Sequence, residues 1–262
     1  MTHYGTAQLM GDRARQCDAT AVWTADSGAQ AYVLLDGIGD TRAVRDWVQA
    51  AARRLARAAA LHGDAEAGLR AERERYAAEP DRHPDHRGRT PPAAAAVVAV
   101  HGPDGILSVS SSGDARAYLR MLDKDLRPLD TCLRQITEDH NERRAYEGLG
   151  DRHVLTACLG GGLDDQETEK RWGHRAVETV RGPVRSGWLL LLSDGAYEPH
   201  EDADHDMSGY LTGTPDVAAQ RLVRGAVSRA REVPRSRADN ATALIALLHG
   251  PVPGPATEPA GR

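Results

Sequence analysis

An α+β fold is what the sequence predicts, and three observations carry that expectation. Strand-like segments come in runs, before residue 36 and again after residue 92, instead of alternating singly with helices as a doubly wound parallel sheet requires. Several connections are short enough for hairpins, the G-P-D-G of residues 102–105 being the clearest. The 262 residues also suffice for one large layered core, since a chain of this size buries about 70 to 75% of its unfolded surface.

Residues 5–10, 19–24 and 31–35 read as short strands of one antiparallel set. The third runs into Y-V-L-L-D-G-I-G-D at 32–40, where an apolar run stops at Asp36 and two glycines permit a tight turn. The period then lengthens. Asp40 or Thr41 can cap a helix with Val44, Trp47, Val48, Ala51, Leu55 and Ala58 on one face. Arg42, Arg45, Arg53, Arg54 and Arg57 lie elsewhere around it, as on the solvated side of a helix lying on a sheet. A second helix is expected over 65–77, then a proline-rich loop over 80–92 in which His83 and His86 are solvated.

Strands return at 93–100, 106–111 and 115–122, and residues 139–150 look helical but charged and broken by glycine. The L-G-G-G-L-D-D of 159–165 reads as a flexible loop, because no lysine follows it as in a phosphate-binding loop. Residues 188–192 are the most apolar strand, and H-E-D-A-D-H-D at 200–206 reads as a solvated acidic loop. A helix over 215–231 should turn Val217, Leu222, Val223, Ala226 and Val227 inward, and 241–248 should be the closing strand. The proline-rich segment 251–262 is expected to be a disordered tail, which leaves 1–250 as the folded domain.

Composition narrows the function classes. A formal net charge of -5 argues against a nucleic-acid binder, and 4% aromatics without Phe means a core of Leu, Val, Ile and Ala. Cys17, Cys132 and Cys158 are scattered, without disulfide or zinc spacing, which fits a reducing compartment. No signal-peptide core is present, and the apolar runs fall short of the ~20 residues of a membrane span, so a soluble cytoplasmic monomer is expected.

The chemistry resides in where the aspartates fall. Asp36 and Asp194 end apolar runs, Asp114 follows S-S-G in a tight turn, and Asp239 stands at the mouth of the last strand. If they converge, their repulsion must be relieved by raised pKa values or by a cation, and hard oxygen ligands select Mg2+ or Mn2+. There is no G-x-S-x-G elbow, H-E-x-x-H helix or strand-following G-x-G-x-x-G, so nucleophilic-serine, zinc-protease and dinucleotide readings fall behind.

Six ordered motifs, covering roughly 5–248, together resemble the PP2C, or PPM, family of metal-dependent serine/threonine protein phosphatases. They are G-D-R-A-R-Q-C-D-A at 11–19, V-L-L-D-G-I-G-D at 33–40, S-S-G-D-A-R-A-Y-L at 111–119, I-T-E-D-H at 136–140, L-L-L-S-D-G at 190–195 and A-D-N-A-T at 238–242. The resemblance implies a four-layer α-β-β-α sandwich of two antiparallel sheets flanked by helices. It also implies two Mn2+ or Mg2+ ions at one end of the sandwich, with a third in bacterial relatives. By position, Asp36, Asp194 and Asp239 match direct metal ligands, Asp36 being the bridging one, and Gly37 matches a carbonyl ligand. Asp18 matches the acid closing the first motif and is counted with the metal residues, Asp114 matches the third-metal aspartate, and Arg13 the arginine that grips the substrate phosphate.

The implied reaction is hydrolysis of phosphoserine or phosphothreonine by a metal-bridging water, with a phosphorylated protein as substrate, a kinase or its targets. A pseudophosphatase acting as a regulatory binding module is the alternative, and a small-molecule phosphohydrolase a third reading. The chain departs from the family at Gln16 and Cys17, at Ile38, where eukaryotic members usually have a histidine, and at Asp40, which replaces a usual glycine and suggests a helix cap.

Overall fold

The computed structural model describes residues 3–79, 91–129, 133–234 and 237–250. Residues 80–90 of the expected loop, with His83 and His86, and also Cys132 and the tail 251–262, lie outside the described residues.

Ten strands form two five-stranded antiparallel sheets. One sheet is ordered β2 (Ala19–Thr24), β3 (Gln30–Gly37), β4 (Ala94–His101), β5 (Ile106–Ser112), β8 (Glu178–Pro183). The other is ordered β1 (Tyr4–Leu9), β10 (Ala241–His249), β9 (Ser186–Leu192), β6 (Arg116–Met121), β7 (Arg134–Gln135). The inner strands β3, β4, β5, β9 and β10 are buried on both faces because both faces are covered. Along β3, Tyr32 and Leu34 pack towards the second sheet with Leu189, Leu191 and Leu244. The alternate residues Val33 and Leu35 pack under α1 (Arg42–His62) and α2 (Ala65–Ala77), against Val48, Leu55 and Leu69. On the outer face of the second sheet, Leu190, Leu192 and Ile245 meet Ala219, Leu222 and Val223 of α6 (Pro215–Glu232). The result is the expected helix, sheet, sheet, helix stack.

Several local expectations are corrected. The first strand does not join the second and third: β1 pairs with β10, from Tyr4 opposite Ala246 to Leu9 opposite Ala241, so the turn after β1 crosses between sheets. Thr41 caps α1, its hydroxyl accepting the Val44 N–H at 3.2 Å, while Asp40 accepts the Ala14 N–H at 3.1 Å instead. Residues 139–150 hold only the single turn α3 (Glu142–Ala145). The loop 159–165 ends as a helix start: Asp164 caps α4 (Asp165–Trp172) in a reciprocal pair with Glu167. Val217 is half-exposed, and Ala218 and Ala219 take the inward places.

The segment 200–206 is not a solvated loop at its start. His200 closes α5 (Asp194–Glu201) fully buried, its Nε2 at 3.1 Å from the Leu222 carbonyl of α6, and burial holds its pKa down at about 4.

Candidate active site

Antiparallel pairing explains how residues distant in sequence meet. β6, β9 and β10 are neighbours, with Arg116 opposite Leu192 and Ala243 opposite Leu192. The start of β6, the end of β9 and the start of β10 therefore share one edge, and Asp114, Asp194 and Asp239 flank those three points. On the facing sheet, β3 brings Asp36 and Gly37 to the same end, opposite Ala95 and Ala94. Asp36, Gly37, Asp114, Asp194, Asp239 and Arg13 line one cleft of about 700 Å3, with Ile38 half-exposed at its wall. Asp194 is the first residue of α5 rather than a free strand end, so its carboxylate also sits at a helix N-terminus.

Two glycines make the approach possible. A Cβ on Gly37 would lie 2.4 Å from the Cys17 carbonyl oxygen, so only glycine lets β3 pass that segment. Gly113 has φ of +123° and a Cβ there would lie 2.5 Å from that of Ala95.

The segment between β1 and β2 is fastened by Asn240 and Asp12. Asn240 Oδ1 accepts the Cys17 N–H at 2.8 Å and its Nδ2 donates to the Met10 carbonyl at 2.9 Å. Asp12 accepts the Ala238 N–H at 3.0 Å and an Arg231 N–H at 2.9 Å; the first of these is the leading cause that lowers its pKa. Arg13 is thereby held at the cleft, where its guanidinium ion-pairs with Asp239, and that bond raises its pKa.

Asp18 does not line the cleft. It is buried beneath it at 2% exposure, and neither carboxylate oxygen has a hydrogen-bond partner. Burial pushes its pKa up to about 8, the Thr242 and Ser193 hydroxyls offsetting part of the rise and the Asp194 and Asp239 charges adding to it. Burial likewise raises Asp36, with the charges of Asp194 and Asp18 adding to it, and raises Asp114 and Asp194. A buried carboxylate without a donor must be protonated or face a cation. The aspartates offer hard oxygens, which suit Mg2+ or Mn2+.

Sequence reasoning missed two residues here. His153, Asp194 and Glu198 bring ligand atoms within 4.8 Å of one another, the one such set of His, Cys, Asp or Glu among the described residues. The predicted carboxylates thus share a cleft without all closing on one point. Glu198 follows Asp194 by four residues on α5, a readable helical spacing once α5 is recognised, and burial followed by Asp194 lifts its pKa to about 7. His153 carried no signal. Of the departures, Cys17 turns its Sγ to the Thr41 carbonyl at 3.8 Å, away from any ligand role, and burial raises its thiol pKa.

No protein-family model and no curated protein matches the chain. Solved structures do match its fold. A bacterial serine phosphatase is 17% identical with a TM-score of 0.66, covering 96% of this chain and 100% of its own. The serine/threonine phosphatase of Staphylococcus aureus is 18% identical with a TM-score of 0.67, covering 95% and 96%. The PPM Ser-Thr phosphatase of Mycobacterium smegmatis, solved with cacodylate, is 20% identical with a TM-score of 0.63, covering 94% and 98%. The chain has the fold of these phosphatases.

Proposed function

We propose that the chain is a Mn2+- or Mg2+-dependent phosphatase of the PP2C type, acting on phosphoserine and phosphothreonine in proteins. One observation supports this above the others: Asp36, Asp114, Asp194 and Asp239 line one cleft over a buried Asp18 that no donor satisfies. Asp36, Asp194, Asp239 and the Gly37 carbonyl would hold two ions, Asp18 would support them from beneath, and Asp114 would hold a third. When bound, such ions supply Lewis acidity towards phosphoryl oxygens and a hydroxide nucleophile near neutral pH, which suits hydrolysis by a bridging water.

The chain's own residues bind and orient. Arg13 presents a planar fork of donors beside the carboxylates, and a phosphate oxygen can replace Asp239 as its partner. Tyr197 of α5 donates its hydroxyl hydrogen to the Asp114 carbonyl at 3.0 Å, so the helix that carries Asp194 also fixes the Asp114 turn. The cleft gathers four carboxylates suited to hold cations, so direct hydrolysis is favoured over a phosphoenzyme.

We assign this activity to residues 1–250, working as a cytoplasmic monomer on a phosphorylated kinase or its targets. No helix among the described residues is long and apolar enough to cross a membrane. Purified protein with Mn2+ should release phosphate from a phosphothreonine peptide and from p-nitrophenyl phosphate, and Asp36→Ala and Asp194→Ala should each abolish it. A wild type with no turnover and no Mn2+ binding would sink the reading. The ion pair that engages Arg13 with Asp239 favours a second reading, a pseudophosphatase that binds partners without turnover. A pull-down partner held equally by wild type and Asp239→Asn, with no dephosphorylation, would select it.

A further inference from the structure

The I-T-E-D-H segment, residues 136–140, has no role in the chemistry above, yet its last residue is fully buried against the turn that carries Asp114. Gly113 follows the last paired residue of β5, since Ser112 is the final one opposite β4, so its N–H has no ladder partner. That N–H donates to His140 Nδ1 at 3.3 Å, and the His140 N–H donates to the Gly113 carbonyl at 3.0 Å. An amide N–H can only donate, so Nδ1 carries no hydrogen and the ring hydrogen sits on Nε2. Nε2 lies 3.1 Å from Glu178 Oε2, a carboxylate that can only accept and that the Arg144 fork holds at 2.6 and 3.0 Å. The ring stacks on His174 at 4.6 Å and 18°, and His174 is itself tied to Thr156 at 2.7 Å. Every group that faces the imidazole thus favours one tautomer and one orientation.

We propose that His140 is the positioning residue of Asp114, its bare Nδ1 holding the Gly113 N–H and its Nε2–H anchored by Glu178. The Gly113 backbone is in a region that L side chains rarely adopt, and without this acceptor its buried N–H is orphaned and the turn is free to swing the Asp114 carboxylate. The consequence for cation binding rests on the reading of Asp114 as a ligand; the hydrogen-bond arrangement does not.

The test has two independent readouts. Nitrogen-15 spectra of the wild-type imidazole should show a pyridine-type Nδ1 and a pyrrole-type Nε2 for His140, and the Gly113 amide should be protected from exchange. His140→Asn places Oδ1 near the Nδ1 position and should keep both Gly113 protection and Mn2+ affinity, measured by calorimetry. His140→Gln reaches the Nε2 position only; it should expose Gly113 and weaken the Mn2+ that Asp114→Asn loses by about 10-fold or more, as loss of a ligand's supporting shell does. A hydrogen on Nδ1 overturns the proposal, even where His140→Gln does not fold. So does a folded His140→Gln with wild-type protection of Gly113, or a folded His140→Asn that exposes it. Wild type that binds no Mn2+ while the ring and Gly113 behave as stated would defeat the cation reading alone.

Discussion

Asp18 has both oxygens buried without a donor and a pKa lifted to about 8 by burial. A carboxylate raised in this way keeps its proton in the folded state after the unfolded chain has lost it. The folded form therefore binds more protons between about pH 4 and pH 8, and stability falls as pH rises through that window. Metal-free protein is expected to melt lower at pH 8 than at pH 6, and Asp18→Asn to flatten that dependence and to raise the melting temperature at pH 8. A chelator-treated melting series on both proteins measures it. Saturating Mn2+ should reverse the order, stabilising wild type by about 2.7 kcal/mol at a hundred times its Kd while leaving Asp18→Asn with less. In the cleft, Arg13→Lys keeps the charge but loses the fork. It is expected to raise KM for a phosphopeptide more than it lowers kcat, which steady-state kinetics on the two proteins would show.

The elements differ in how legible they were. β2 and α2 lie where expected, residue for residue, and β3, β4, β5, β9 and β10 within two residues, since strands buried on both faces are continuous apolar runs. α4 and β8 left little pattern: Thr168 is the one buried residue of α4, and β8 is an edge strand with most of its side chains in solvent. α5 was hidden because D-G-A-Y-E-P-H-E reads as a turn with a proline, and Pro199 is accommodated in its last turn. Its loss from the sequence reading is why Glu198 was missed, while Asp36 and Asp194 were legible from the abrupt stop of their apolar runs. Two substitutions probe the elements themselves. Thr41→Ala removes the α1 cap and should cost about 1 kcal/mol. Leu55→Ala opens a cavity under the same helix and should cost about 2 to 5 kcal/mol, both by urea unfolding.

At the scale of the whole molecule, the cleft lies where the two sheets end together, and the helix layers support it from opposite sides. α1 starts five residues after Gly37, and α5 begins with Asp194 itself. Asp36 is thus reached from the sheet under α1 and α2, and Asp114, Asp194 and Asp239 from the sheet under α5 and α6. Charge neutralisation at the cleft should therefore tighten both halves at once. Hydrogen exchange with and without Mn2+ is expected to show slower exchange in β3 and in β9 and β10 together; protection confined to one sheet would contradict a site shared between them.

The position of β10 has a consequence for how the protein is made. It is not an edge strand but lies between β1 and β9, so the first and the last strands among the described residues are bonded to each other. Until residues 241–249 leave the ribosome, β1 has no partner and the second sheet is split. Asp239 and Asn240, just ahead of that strand, are the last pieces of the cleft to be synthesised, and Asn240 is what fastens the segment that carries Arg13. A chain that stops short of residues 239–249 therefore has no assembled cleft.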